Sequence, residues 1–183
     1  MTNLNINNGW LEGVEHQPSP HFTSREHNEE INLLVVHNIS LPPKQFGGSY
    51  ITDLFLGRLD PTADPYFESI YQLQVSAHCL IRRDGQIIQY VSFEDKAWHA
   101  GVSHFNGRDK CNDFSIGIEL EGADDIPYTF EQYQQLANIT NALQQVYPIV
   151  KEGIVGHCDI APERKTDPGE AFDWQKFYQL LSV

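Results

Sequence analysis

Residues 156–169 place an imidazole (His157), an ammonium group (Lys165) and two metal-competent carboxylates (Asp159, Asp167) in one short, turn-rich stretch behind an apolar segment. Far upstream, the aliphatic run Leu33-Leu34-Val35-Val36 ends on His37 and Asn38. Two imidazoles and one carboxylate, held by distant parts of a rigid scaffold, make a three-ligand zinc site with the fourth tetrahedral position left to water. That pattern belongs to hydrolysis, whereas a structural zinc is closed by four protein ligands.

A histidine by itself is weak evidence, since most are hydrogen-bonded surface or core groups. Of the eight in this chain, His16, His21, His27 and His104 carry no signal beyond their type. His37 and His157 differ because each closes an apolar, strand-like run beside turn residues. The end of a buried strand is where a rigid scaffold exposes reactive groups. Three residues compete to be the third ligand. In an extended segment Cys158 points away from His157 and reads as a core thiol. Asp159 shares the face of His157, and Asp167, ahead of Pro168-Gly169, sits in a turn able to swing its carboxylate over the sheet. Spacing leaves the two aspartates level.

Glu119 and Glu121 follow Ile116-Gly117-Ile118 on one face of a strand. In a central strand Glu119 is drawn into a low-dielectric cleft beside a cation, the setting of a general base. The ordinary alternative is a strand end turning into solvent. Lys165 is two residues from a ligand candidate, within reach of a developing oxyanion, although most lysines are solvated charges.

Periodicity indicates which elements must hold these groups. Residues 32–37 and 114–120 read as strands, the first a buried central one because polar alternation is missing. Residues 76–81 and 86–91 flank Arg82-Arg83-Asp84-Gly85, whose Asp-Gly pair signals a hairpin. Tyr133, Leu136, Thr140, Leu143 and Tyr147 recur at helical spacing over residues 130–147, behind the capping residue Thr129. Residues 154–157 read as a short final strand and 173–181 as a closing helix. The mixture predicts an α/β (α+β) fold, a single domain over residues 1–183 with a mixed central β-sheet flanked by helices. Between residues 41 and 67, Pro42-Pro43, Gly47-Gly48, Asp60-Pro61 and Asp64-Pro65 mark a long insert, interrupted only by an apolar stretch at residues 50–56. An insert of that length is either a binding loop or a surface excursion.

A chain of 183 residues sustains one substantial core and is short for two ordinary domains. Its net charge of −13 is the reverse of the basic field that nucleic acid demands. No membrane span is expected, and the first ten residues have neither a basic nor an apolar leader region, so the expected location is cytoplasmic. Cys79, Cys111 and Cys158 are an odd set without zinc-ribbon spacing, which fits reduced thiols there. Nothing signals an obligate protein partner.

Five stretches, in order, resemble the zinc-dependent N-acetylmuramoyl-L-alanine amidases of the amidase-2 family. They are Val35-Val36-His37-Asn38, Ser76-Ala77-His78-Cys79-Leu80-Ile81, Ala97-Trp98-His99-Ala100-Gly101, Ser115-Ile116-Gly117-Ile118-Glu119-Leu120-Glu121, and residues 156–169, the most specific. The likeness covers about residues 9–174 and is nearest to the cytoplasmic branch that acts on 1,6-anhydromuropeptides in cell-wall recycling. It implies Zn2+ held by His37, His157 and Asp167, which decides against Asp159. It also implies Glu119 as general base toward the attacking water, Lys165 as oxyanion stabiliser, and a mixed sheet shared with the peptidoglycan-recognition proteins. The implied reaction hydrolyses the amide between (1,6-anhydro-)N-acetylmuramic acid and L-alanine in a small muropeptide. Candidate partners for that substrate's carboxylates are Arg82, Arg83, Arg108, Lys110 and Arg164, while Asn38 and Trp98 are candidates to line the cleft. The family carries arginines where Gln74 and Lys110 stand here. Two rivals keep the same groove: an amidase acting on intact sacculus, and a non-catalytic muropeptide-binding module lacking the metal set.

Overall fold

Alternate residues of the strand Leu33–Ile39 are buried on opposite sides of a sheet, which is why its sequence shows no polar alternation. Leu34 and Val36 pack with Tyr133, Leu136, Ile139 and Leu143, and Leu33 and Val35 pack with Phe114 and Ile160. Burying such side chains contributes roughly 1.5–3 kcal/mol each, so a strand covered on both faces anchors the fold. The computed structural model describes residues 4–181; Met1–Asn3, on which the reading of the chain's start partly rests, lie outside the described residues.

The central sheet contains Glu15–His16 (β1), Leu33–Ile39 (β2), Cys79–Ile81 (β3), Ile87–Gln89 (β4), Ser115–Glu121 (β5) and Ile154–Gly156 (β6). Their spatial order is β6-β2-β5-β3-β4-β1. β6, β2, β5 and β3 are parallel, β4 is antiparallel to β3, and β1 is parallel to β4. The expected hairpin joins β3 to β4: Gly85 N donates to Arg82 O at 2.9 Å, and the φ of +86° at Gly85 is one that glycine adopts without strain. The two long strands, β2 and β5, lie side by side, and their register sets Glu119 opposite His37.

Among the described residues four helices accompany the sheet: Tyr50–Phe55 (α1), Phe130–Val146 (α2), His157–Ile160 (α3) and Trp174–Leu180 (α4). α2 begins with a reciprocal cap. Thr129 Oγ1 accepts from Gln132 N, and Gln132 Oε1 accepts from Thr129 N, both at 3.1 Å. It stops at Val146, one residue before the expected end, because Tyr147 precedes Pro148 and is extended (φ −119°, ψ 146°). Asp173 caps α4 by accepting from Lys176 N at 2.9 Å.

The bounds of β2, β3, β4 and β6 differ from the sequence-based expectation. β2 continues two residues past His37, because Asn38 and Ile39 still pair with Leu120 and Glu121. The strands expected over residues 76–81 and 86–91 shrink to Cys79–Ile81 and Ile87–Gln89. Before β3, Ser76 Oγ is drawn to His21 O at 2.6 Å and the His78 ring to Asp95 O at 3.0 Å. β6 ends at Gly156, and His157 opens α3 instead of closing a strand. Two residues along a helix rotate a side chain by about 200°, so Asp159 does not share the face of His157.

The insert after β2 is not a loose excursion. Leu41, Ile51, Leu54, Phe55 and Phe67 bury themselves against Leu80, Ile88 and Tyr90, forming a second apolar cluster. Among the described residues no helix is long and apolar enough to cross a membrane, and all three cysteines are free.

Candidate metal centre and catalytic cleft

β2 supplies His37, the first residue of α3 supplies His157, and the turn beyond α3 supplies Asp167. Their donor atoms form a triangle. His37 Nδ1 and His157 Nδ1 are 3.0 Å apart, and Asp167 Oδ2 lies 3.2 Å from the first and 3.1 Å from the second. Zinc–ligand bonds of 2.0–2.1 Å in a tetrahedron put donor atoms about 3.3 Å apart, so the triangle has the size of a zinc face. The two rings are almost completely buried, with 1% and 3% of their surface exposed.

The remaining ring nitrogens decide what these atoms can do. His157 Nε2 lies 3.1 Å from Ala100 O, which can only accept; Nε2 therefore carries the proton and Nδ1 offers a lone pair. His37 Nε2 lies 2.8 Å from His99 Nδ1. Burial pushes the pKa of the His37 ring down to about 4, partly opposed by its contact with Asp167, so the ring is neutral at pH 7. Burial favours the neutral Asp167 carboxyl, but the adjoining His157 and His37 rings outweigh it and hold the group well below the usual carboxylate range. Two lone pairs and a carboxylate facing one another lack a counter-charge, and a dication supplies one.

Asp167 is placed by its surroundings. Cys158 N donates to Asp167 O at 3.0 Å, Tyr128 Oη donates to Pro168 O at 2.7 Å, and Asn38 Nδ2 donates to Asp124 Oδ1 and Pro168 O at 2.8 and 3.1 Å. A Cβ on Gly169 would lie 2.1 Å from Asp124 Cα, so only glycine lets the turn close. Asp159 does something else: its Oδ2 accepts from Gly156 N at 2.7 Å, capping α3.

The two glutamates of β5 have separate fates. Glu119 faces the metal triangle, and its shielded Oε2 has no hydrogen-bond partner among the described residues. Burial pushes its pKa well above the usual carboxylate value, reinforced by the charge of Asp167 and opposed by Lys165. Glu121 instead ties the insert to the hairpin, accepting from Gly47 N at 2.6 Å and Arg83 N at 3.2 Å, with Arg82 Nη1 at 3.8 Å.

These groups sit in a cleft of about 360 Å³. Its polar end holds the triangle, Glu119 and Lys165, and its apolar wall comes largely from the insert through Leu41, Pro43, Leu54, Phe55 and Tyr66. Trp98 lines it, stacked on His21 with ring centroids 6.1 Å apart. Asn38 lines it too, with its amide engaged on the Asp167 turn. Arg82 and Lys110, expected at the substrate, do not line it: Arg82 faces Glu121, and Lys110 is exposed at the start of a 3-10 turn. Arg83 donates to Pro127 O, Arg108 pairs with Glu29, and Arg164 reaches Ala100 O and Val102 O. Lys165 is the one lysine or arginine lining this cleft among the described residues.

Sequence reasoning assigned no role to His99. It stands 62 positions from His37, and only the Trp98-His99-Ala100-Gly101 motif marked it.

The fold superimposes on the crystal structure of a selenomethionine AmpD derivative with a TM-score of 0.94 and 59% identity, covering 97% of this chain and 99% of that one. The amidase AmiD of E. coli, solved in complex with anhydro-N-acetylmuramic acid-L-Ala-D-gamma-Glu-L-Lys, matches with a TM-score of 0.61 and 27% identity over 99% of this chain and 67% of that one. Fold and site thus define an enzyme of the N-acetylmuramoyl-L-alanine amidase class. The family model for that activity, Amidase_2, matches residues 27–170, and the chain belongs to this family. It is 60% identical to the 1,6-anhydro-N-acetylmuramyl-L-alanine amidase AmpD of Escherichia coli K12 over 97% of both chains. The AmpD of Haemophilus influenzae is 57% identical over 94% of each.

Proposed function

We propose that this chain is a zinc-dependent amidase that cleaves the bond between 1,6-anhydro-N-acetylmuramic acid and L-alanine in small muropeptides, as a step of cell-wall recycling in the cytoplasm. The observation that carries the reading is the triangle of His37 Nδ1, His157 Nδ1 and Asp167 Oδ2 beside the unpartnered Glu119 Oε2. The relatives' named activity supports the substrate, and this chain's three free cysteines fit the compartment.

When bound, zinc supplies Lewis acidity, polarising the scissile carbonyl and lowering the pKa of a water toward ~7. Glu119, opposite His37 across the β2–β5 register, takes the proton of the attacking water and later delivers it to the departing alanine nitrogen. Lys165 sets an ammonium group beside the oxygen that gains charge. The apolar wall from the insert packs on the sugar and excludes bulk water, which strengthens these interactions.

Lys165→Ala is expected to spare zinc content and fold while lowering kcat by ~100-fold or more, the usual loss for an oxyanion partner. Steady-state kinetics on a synthetic anhydromuropeptide check it, and an effect confined to KM would assign the lysine to substrate binding.

Soluble anhydromuropeptides are expected to be hydrolysed much faster than intact sacculus, because a walled cleft of this size encloses a small ligand. Mass spectrometry of the peptides released from each substrate decides the matter. Comparable rates would favour the wall-lytic reading, and a zinc-replete protein releasing no peptide from either would favour a binding module.

A further inference from the structure

The metal face needs a lone pair on His37 Nδ1, yet a neutral imidazole is free to carry its proton on either nitrogen. Something must hold the proton on Nε2. The carbonyl of Ala100 does this for His157. For His37 the neighbour is His99 Nδ1 at 2.8 Å, and the far nitrogen of that second ring, Nε2, lies 3.1 Å from Ser115 Oγ. With the His99 proton on Nε2, donated to the serine, Nδ1 is left to accept from His37. With the proton reversed, His37 would present N–H to Asp167 and His157, where the ion must sit.

A second observation shows that the sheet is built around this ring. His99 lies over Gly117 of β5, where a Cβ would come within 2.4 Å of His99 Cγ and Nδ1. Gly117 stands two residues before Glu119 on the face that carries the site, so any side chain there would push the ring off His37. The main chain is pinned as well: Asn112 Oδ1 accepts from His99 N at 3.2 Å and from Ala100 N at 2.8 Å. One short segment thereby orients both metal-facing histidines, His37 through a side chain and His157 through a carbonyl.

The geometry points to His99 as a positioning residue, which selects the metal-binding tautomer of His37 by accepting its Nε2–H and passing orientation on to Ser115. This rests on the zinc reading above. Groups that orient metal ligands in this way are typically worth 10–100-fold in metal affinity.

Two substitutions separate positioning from mere space-filling. Asparagine places its Oδ1 near the position of the lost Nδ1, whereas glutamine keeps polarity and bulk but carries its amide near the position of Nε2. Zinc affinity, measured on the zinc-free full chain by competition with a chromophoric chelator, is expected to fall ~10–100-fold in His99→Gln and to stay near wild type in His99→Asn. Imidazole ¹⁵N shifts of the zinc-free protein are expected to show His37 as the Nε2–H tautomer in wild type and as a mixture in His99→Gln. Equal affinities in the two variants, or an unchanged His37 tautomer in His99→Gln, would overturn the assignment. Absence of zinc binding by wild type would instead sink the metal reading, and the ¹⁵N comparison would still judge the tautomer. Should His99→Gln fail to fold, Ser115→Ala carries the test. It keeps the ring, removes the hydroxyl to which the proposal gives the His99 Nε2–H, and is expected to lower zinc affinity in the same direction; wild-type affinity there overturns the proposal.

Discussion

Alanine in place of His157 or Asp167 is expected to strip the protein of zinc and to lower amidase turnover by ~10⁴-fold or more. Removing one of three donors leaves two, too few for a stable zinc site with an open position. The Lewis acidity then lost is worth several kcal/mol at the transition state, and each ~1.4 kcal/mol is tenfold in rate. Metal analysis of the purified variants and single-substrate kinetics check both halves of the expectation. The informative control is Asp159→Ala. Its carboxylate caps α3 through Gly156 N, so this change is expected to cost about 1 kcal/mol of stability while zinc stays bound. Zinc retained by Asp167→Ala and lost by Asp159→Ala would reverse the choice of ligand.

The second large effect is expected from Glu119→Gln, with zinc content and melting behaviour preserved and kcat reduced by ~100-fold or more. Glutamine keeps the shape of the side chain and removes its ability to take a proton. The environment is that of a base awaiting its partner: burial favours the neutral carboxyl, Lys165 draws it toward ionisation, and Oε2 is unpartnered until a water arrives. Because the proton moves only on the way to the transition state, the loss belongs in kcat more than in KM. Near-normal kcat in a zinc-replete variant would remove Glu119 from the chemistry. Glu121 would be a poor substitute, since Gly47, Arg83 and Arg82 already engage its carboxylate.

Much of this molecule is legible in the chain itself, and the legible part has one character. The type of each donor and the local periodicity around it can be read along the chain. His37 and His157 stood out because each closes an apolar run, and the run before His37 read as buried on both faces because it is. α2 and its Thr129 cap, the Arg82–Gly85 hairpin and the closing helix are interactions between residues a few positions apart, so their residues suffice to specify them. The mixed α+β class followed from the same elements.

Tertiary structure decided everything that depends on direction. Asp159 and Asp167 are equivalent as donors; one turn of helix after Gly156 bends the first back onto its own cap, and contacts from Asn38 and Tyr128 carry the second over the sheet. Arg82 is withdrawn from the cleft by Glu121, a carboxylate brought to it by the pairing of β3 with β5. The insert becomes a wall of the cleft because its apolar side chains find Leu80, Ile88 and Tyr90. His99 has a part only because β5 offers a glycine beneath its ring and β2 brings His37 to its edge. Composition and spacing name the donors, but which way a lone pair points is set by partners 57 to 130 residues away, and only the folded chain brings those together.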